Sequence, residues 1–190
     1  MSSIYVKNLI KTVIEKSVNK SWNTAVLEWE IDDVIEDEDN ESSCICGKEN
    51  IRYLFTIKNI NNQNTLFPIG SSCIKKFDRE DLNELTSVNE KLFKLFHAVK
   101  ANEFITLNSE YFSRKILKYI FDQGAFTPNK YNNFNGDNDY DFMLKMFNMR
   151  GEPSEKQLSK IRAIIVTSIK PYLIQLLNDK VVKKSFYIQN

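Results

Sequence analysis

Three cysteines carry the strongest chemical signal in this chain. Cys44 and Cys46 are one residue apart and are followed by Gly47. Cys73 comes after 26 intervening residues, inside Gly70-Ser71-Ser72-Cys73-Ile74-Lys75-Lys76-Phe77. Zinc takes thiolates in a tetrahedral shell, and a tight turn closed by glycine brings two near cysteines together while a hairpin returns a third. A helix beginning at Cys73 would favour its thiolate, because the helix dipole and free amides stabilise negative charge. A structural zinc normally has four protein ligands, so one more is needed; His97 is the first option, with Asp78 and Glu49 behind it. The competing reading makes the three thiols small buried hydrophobes, left from a finger that lost its metal.

Other chemistry is largely excluded. A single histidine rules out every site that needs two imidazoles, H-E-x-x-H proteases and Cys2His2 fingers among them. Asp137, Asp139 and Asp141 lie in Gly-Asp-Asn-Asp-Tyr-Asp, but the calcium-loop template fails, with Phe142 at its glycine position and Asn148 at its closing glutamate. Capping of a helix by Asp139 or Asp141 explains these acids more simply. No phosphate-binding glycine loop, dinucleotide fingerprint or G-x-S-x-G elbow occurs, and nothing in the spacing joins His97 to a cysteine as a nucleophile pair. The expectation is a non-enzymatic protein with no catalytic residues.

The chain of 190 residues, 42% hydrophobic and 27% charged, is long enough to bury a core, which excludes wholesale disorder. Its net charge of +1 conceals a segregation. Through Asn50 there are 5 basic and 11 acidic residues, a balance of −6; beyond it 21 basic and 14 acidic residues give +7. No apolar run approaches the roughly 18 residues that span a bilayer, and no leader with a cleavage site is visible. An odd number of cysteines, two of them in C-x-C, makes a poor disulfide framework, so a reducing, cytoplasmic setting is expected.

The elements that must position these residues follow from periodicity. Val6, Leu9, Ile10, Val13 and Ile14 mark an amphipathic helix over about residues 3–19. From Trp22 a period of two, with Ala25, Leu27, Trp29 and Ile31 alternating with Val26, Glu28, Glu30 and Asp32, predicts a strand. Residues 51–58 and 65–69 flank the turn-rich Asn59 to Asn64 and predict a hairpin, after which Gly70-Ser71-Ser72 turns into a short helix. The rest reads as helical: one long helix through Leu82, Leu92 and Val99, another from Tyr111 to Phe121, and a short one from Asp141 to Asn148. A last long helix opens with Pro153 and a Ser154/Gln157 capping pair and is kinked at Pro171. An asparagine-rich exposed loop spans residues 129–138. The fold class is therefore α+β. Residues 1–79 form an N-terminal helix and a small antiparallel sheet with a zinc-finger-like hairpin, and residues 80–190 form a helical part packed on it as one unit.

Taken together, Trp22 to Trp29-Glu30, Cys-Ile-Cys-Gly, the Ile51-Arg52-Tyr53 strand ending in Ile57-Lys58-Asn59, and Pro68-Ile69-Gly70-Ser71-Ser72-Cys73-Ile74 resemble small finger-bearing proteins of phages and mobile elements in low-GC Gram-positive bacteria. The likeness covers about residues 22–77. It implies a cysteine-ligated finger, action inside the bacterial host cell, and a role in handling nucleic acid or host defence. Such sequences often carry an extra Cys or His in the strand after C-x-C-G, where this chain has Leu54 and Phe55.

Two surfaces of opposite sign are candidates for partners. Arg52, Lys58, Lys75, Lys76 and Arg79 surround the finger and could contact phosphates of a nucleic acid or nucleoprotein complex, whereas Tyr53 and Phe55 share a strand face and read as core. A second basic set, Lys156, Lys160, Arg162, Lys180, Lys183 and Lys184, reads as a solvated helix face. Nine carboxylates and no basic residue fall between Glu28 and Glu41. Glu28, Glu30 and Asp32 on one strand face would suit a basic protein groove, such as that of a host defence nuclease blocked by an anti-CRISPR type of inhibitor. The plainer reading is a charged edge that discourages strand pairing.

Overall fold

The computed structural model describes residues 3–187, with side chains through residue 179. Its elements make an α+β protein: an N-terminal helix, a three-stranded antiparallel sheet, and helices after it. The chain divides into two compact units, Met1–Glu90 and Lys91–Asn190. None of the described helices is long and apolar enough to cross a membrane.

Unit 1 begins with α1 (Ile4–Lys16), where the Ser3 hydroxyl accepts from the Val6 amide and Leu9 and Val13 are fully buried. The predicted strand from Trp22 is shorter than its alternation suggests. Residues Trp22–Ala25 form α2 and Val26–Glu28 a 3-10 turn, and strand β1 (Trp29–Glu36) starts only at the second tryptophan. Ala25 and Val26, neighbours in sequence, are both buried while Leu27 is 60% exposed, so the inward face follows a helical turn rather than a pleat.

The Glu28 carboxylate holds that turn. It accepts the amides of Val18 (2.8 Å) and Asn19 (2.7 Å) and the side-chain amides of Asn19 (2.6 Å) and Asn59 (2.7 Å). Just beside it the Trp29 indole donates to the Ser17 hydroxyl, which itself donates to the Val13 carbonyl and ends α1.

Strand β1 pairs antiparallel with β2 (Tyr53–Asn59), from Trp29↔Asn59 to Glu36↔Tyr53, with a bulge between Ile31 and Asp33. Strand β3 (Thr65–Ile69) pairs with the other edge of β2, giving the order β1-β2-β3. Asn59 closes the predicted hairpin, its side-chain oxygen accepting the amides of Asn61 and Asn62. Trp29, Phe55, Ile57, Ile69 and Ile74 are fully buried. After β3 come α3 (Ser71–Ile74), a 3-10 turn (Lys75–Phe77), a left-handed Asp78, and α4 (Glu80–Lys100), in which the division between the units falls.

Unit 2 holds the end of α4, α5 (Arg114–Asp122), α6 (Asp137–Phe147), α7 (Glu155–Ile164) and α8 (Lys170–Tyr187). The asparagine-rich loop before α6 is tied down by its own side chains. Buried Asn132 donates to the Thr127 carbonyl and the Asp139 carboxylate, and Asn129 and Asn138 add further bonds. Helix α6 therefore starts four residues before the predicted Asp141, at Asp137, and no aspartate caps it. The N-cap is Gly136, whose missing side chain is required because a Cβ there would land on the Phe126 carbonyl oxygen. Tyr140 stacks on Phe121 at 4.3 Å.

The Ser154/Gln157 capping box opens α7 as its sequence predicts. Helix continues through a π-type segment (Ile165–Ile169) into α8, with the Lys170 amide reaching back to the Ile165 carbonyl. Pro171 has no amide to donate, and this wider turn lies directly before it.

Candidate metal centre

Each of the three cysteines is placed by a separate local device. The Cys44–Gly47 turn closes with the Gly47 amide on the Cys44 carbonyl (2.7 Å) and the Cys44 amide on the Lys48 carbonyl (2.8 Å), and Gly47 takes the positive φ of 89°. The Ile45 amide donates to the Pro68 carbonyl (2.9 Å), docking the turn on the free edge of β3. From α1, the Asn8 side chain donates to the Cys46 carbonyl. Cys73 is delivered by the β2-β3 hairpin and the first turn after Gly70.

The sulfurs converge. Cys73 Sγ lies 3.6 Å from Cys44 Sγ and 3.4 Å from Cys46 Sγ, and all three are within 4.8 Å of one another. Two thiolates on one tetrahedral zinc at about 2.3 Å would be about 3.8 Å apart, within a few tenths of an ångström of both distances from Cys73. None is in a disulfide, and the residues are only 4%, 1% and 7% exposed.

The backbone around them suits thiolates. The Gly70 amide donates to Cys44 Sγ at 3.3 Å, the Cys46 amide bonds the same sulfur, and the Lys48 amide bonds Cys46 Sγ. Amides aimed at sulfur stabilise negative charge there, as they would around a coordinated metal. With protons shared among the sulfurs, the hydrogen bond between Cys44 and Cys73 together with these amides holds the Cys44 thiol down to about 5. The bond with Cys44 pushes Cys73 up, and burial pushes Cys46 up. The thiol favoured as thiolate is thus Cys44 and not Cys73. The helix at Cys73 spans only four residues, too little for a substantial dipole, and the bond to Cys44 outweighs it.

Among the described residues of unit 1 the cluster takes in no fourth Cys, Asp or Glu, so Asp78 and Glu49 do not join it; His97 belongs to unit 2. Asp78 is the exposed left-handed residue after the 3-10 turn, and Glu49 is exposed in the loop before β2. The donor set is three sulfurs, which suits a thiophilic metal ion.

The cationic residues near the centre have varied environments. Arg52 Nε is 2.6 Å from Glu36 Oε1 on the neighbouring strand, and Lys75 is 4.0 Å from Glu90. Lys58 is half-buried and pairs in register with Glu30, while Lys76 is exposed. Arg79 is structural: one guanidinium nitrogen donates to the carbonyls of Val26 (3.2 Å) and Trp29 (2.5 Å), and Asp81 takes the other side. In unit 2, Lys160 lies 3.7 Å from buried Asp139 and over the Phe142 ring, and Arg162 lies over the Phe104 ring; Lys156 is exposed. Lys180, Lys183 and Lys184 lie outside the residues whose side chains are described.

The acidic row is shorter than its alternation predicts. Glu28 precedes the strand and is 2% exposed, its oxygens consumed by the four bonds above, so it offers nothing to a partner. Glu30 and Asp32 are exposed on β1, at a shallow depression of about 300 Å³ that also takes in Ile31, Lys58, Ile60 and Gln63.

Sequence reasoning missed the amide donors at Gly70 and Lys48 and the brace from Asn8, because backbone amides and a single asparagine leave no distinctive pattern. The chain matches no family model, no curated protein and no solved structure.

Proposed function

We propose that Cys44, Cys46 and Cys73 bind zinc(II) as a structural centre, and that the chain is a non-enzymatic accessory protein of a phage or mobile element that associates with nucleic acid or a nucleoprotein complex. The observation that carries the zinc assignment is the convergence of three buried thiols at 3.4 and 3.6 Å under backbone amides aimed at sulfur. An ion there would tie the C-x-C-G turn to the end of the hairpin, joining two segments 26 residues apart in a unit with a small core. Exposed Lys76 and the surface side of Lys75, immediately after Cys73, support a phosphate-contacting role, and Lys58 adds a third cation.

Metal analysis of protein purified without chelator is expected to find about one zinc per chain, lost in Cys73→Ser; less than about 0.3 per chain refutes the assignment. Nucleic-acid mobility shifts should fall with rising salt and disappear in the double variant Lys75→Glu, Lys76→Glu. A second reading, an inhibitor of a host defence protein, draws on the depression beside Glu30 and Asp32. It requires that no nucleic acid shift, and that capture of a protein partner be lost in Glu30→Gln with Asp32→Asn.

A further inference from the structure

We propose that zinc held by Cys44, Cys46 and Cys73 keeps one exchangeable coordination position, which a thiol or an imidazole from outside the chain can occupy. The inference rests on the zinc reading and deepens it.

The first ground is the inventory of donors. The sequence has three cysteines and one histidine, and every His, Cys, Asp and Glu in it lies at a position whose side chain is described. Of those in unit 1, only Cys44, Cys46 and Cys73 come together. Zinc with three protein ligands completes its shell with water or an incoming donor.

The second ground is what stands where the chain returns to the centre. At the turn into α3 the residue is Gly70, which offers the Cys44 sulfur an amide in place of a side chain. A Cβ at this position would meet the Ile51 side chain at 3.4 Å, an ordinary packing contact. The local backbone thus neutralises thiolate charge without adding a fourth donor.

The third ground is access. Ser43, Gly47, Lys48 and Ser72 flank the cysteines in sequence, all are exposed, and three of them are small. Three thiolates on zinc(II) leave one negative charge. A neutral imidazole adds none, and a thiolate would add one. Sulfur and imidazole nitrogen match this soft donor set better than carboxylate oxygen.

The test replaces zinc by cobalt(II) in the full chain and follows the absorption spectrum during titration with imidazole and, separately, 2-mercaptoethanol. Loading should produce the intense visible bands of a tetrahedral site. Each donor should then shift them saturably, and the thiol should raise the sulfur-to-cobalt charge-transfer intensity by about a third as three bonds become four. Bands that ignore both donors in the wild type overturn the proposal; if they become responsive in His97→Ala, Asp78→Ala or Glu49→Ala, that residue is the fourth ligand. Failure to take up cobalt or zinc at all overturns the zinc reading itself, a result distinct from a loaded but unresponsive centre.

Discussion

Replacing Glu28 by Gln tests the most connected polar residue of unit 1. Each carboxylate oxygen accepts two hydrogen bonds, one from the amide and side chain of Asn19, the other from the Val18 amide and the Asn59 side chain. A glutamine can satisfy one pair with its oxygen, but its NH2 group then faces the other two donors. Leaving two part-buried donors to water and removing the charge-assisted component should cost about 1–2 kcal/mol at pH 7.

The same bonds outweigh burial, which opposes ionisation, and hold the Glu28 carboxyl down to about 2 from an ordinary 4.5. A carboxyl depressed on folding contributes stability that is complete above its unfolded value and is lost as pH falls toward its folded one. The wild-type advantage over Glu28→Gln should therefore be constant at neutral pH and shrink between about 4.5 and about 2. Urea unfolding of both proteins, followed by the fluorescence of buried Trp29, measures it. Taking the difference between them cancels other carboxylates that titrate in the same window, such as Asp81, whose carboxyl the Arg79 guanidinium also holds low. A difference below about 0.5 kcal/mol at pH 7, or one unchanged through the acid range, would refute the reasoning.

Gly136→Ala should destabilise unit 2 by about 2 kcal/mol or more, because the new Cβ strikes a backbone oxygen that cannot swing aside. Gly124→Ala, with a φ of 81° but open space around it, should cost only about 1 kcal/mol, and Gly151→Ala, also in open space, almost nothing; thermal unfolding of the three ranks them. Arg79→Met should cost about 1–3 kcal/mol by stranding the Val26 and Trp29 carbonyls, and any loss of nucleic-acid binding in that variant should follow the fraction unfolded. If Arg79→Met is fully folded and still loses binding, Arg79 touches the ligand directly.

Features governed by neighbours in the chain were legible in the sequence. The hairpin turn is set by Asn59 and the residues it caps, the start of α7 by Ser154 and Gln157, and the C-x-C-G turn by Gly47. Alternation from Trp22 to Asp32 misleads because a period of two over so few residues also fits a helical turn leading into a strand. The arbiter there is the Glu28 carboxylate, whose partners lie 9, 10 and 31 residues away. Pro171 announces a disturbed helix, but not that the disturbance is a π-type turn over Ile165–Ile169 with both of its end residues buried.

The candidate metal centre divides along the same line. Sequence by itself determined which residues have the chemistry, because cysteine is scarce here and thiolate donors at C-x-C and at a hairpin's return have few other uses. Tertiary structure alone decided that the sulfurs meet at 3.4 and 3.6 Å, that Cys44 is the acidic thiol, and that Asp78 and Glu49 stay out of the cluster. It likewise decided that Glu28 is spent inside the fold while Glu30 and Asp32 remain outside. Local chemistry travels with residue type. Distance, desolvation and competition for hydrogen bonds exist only once segments remote in the chain have packed together.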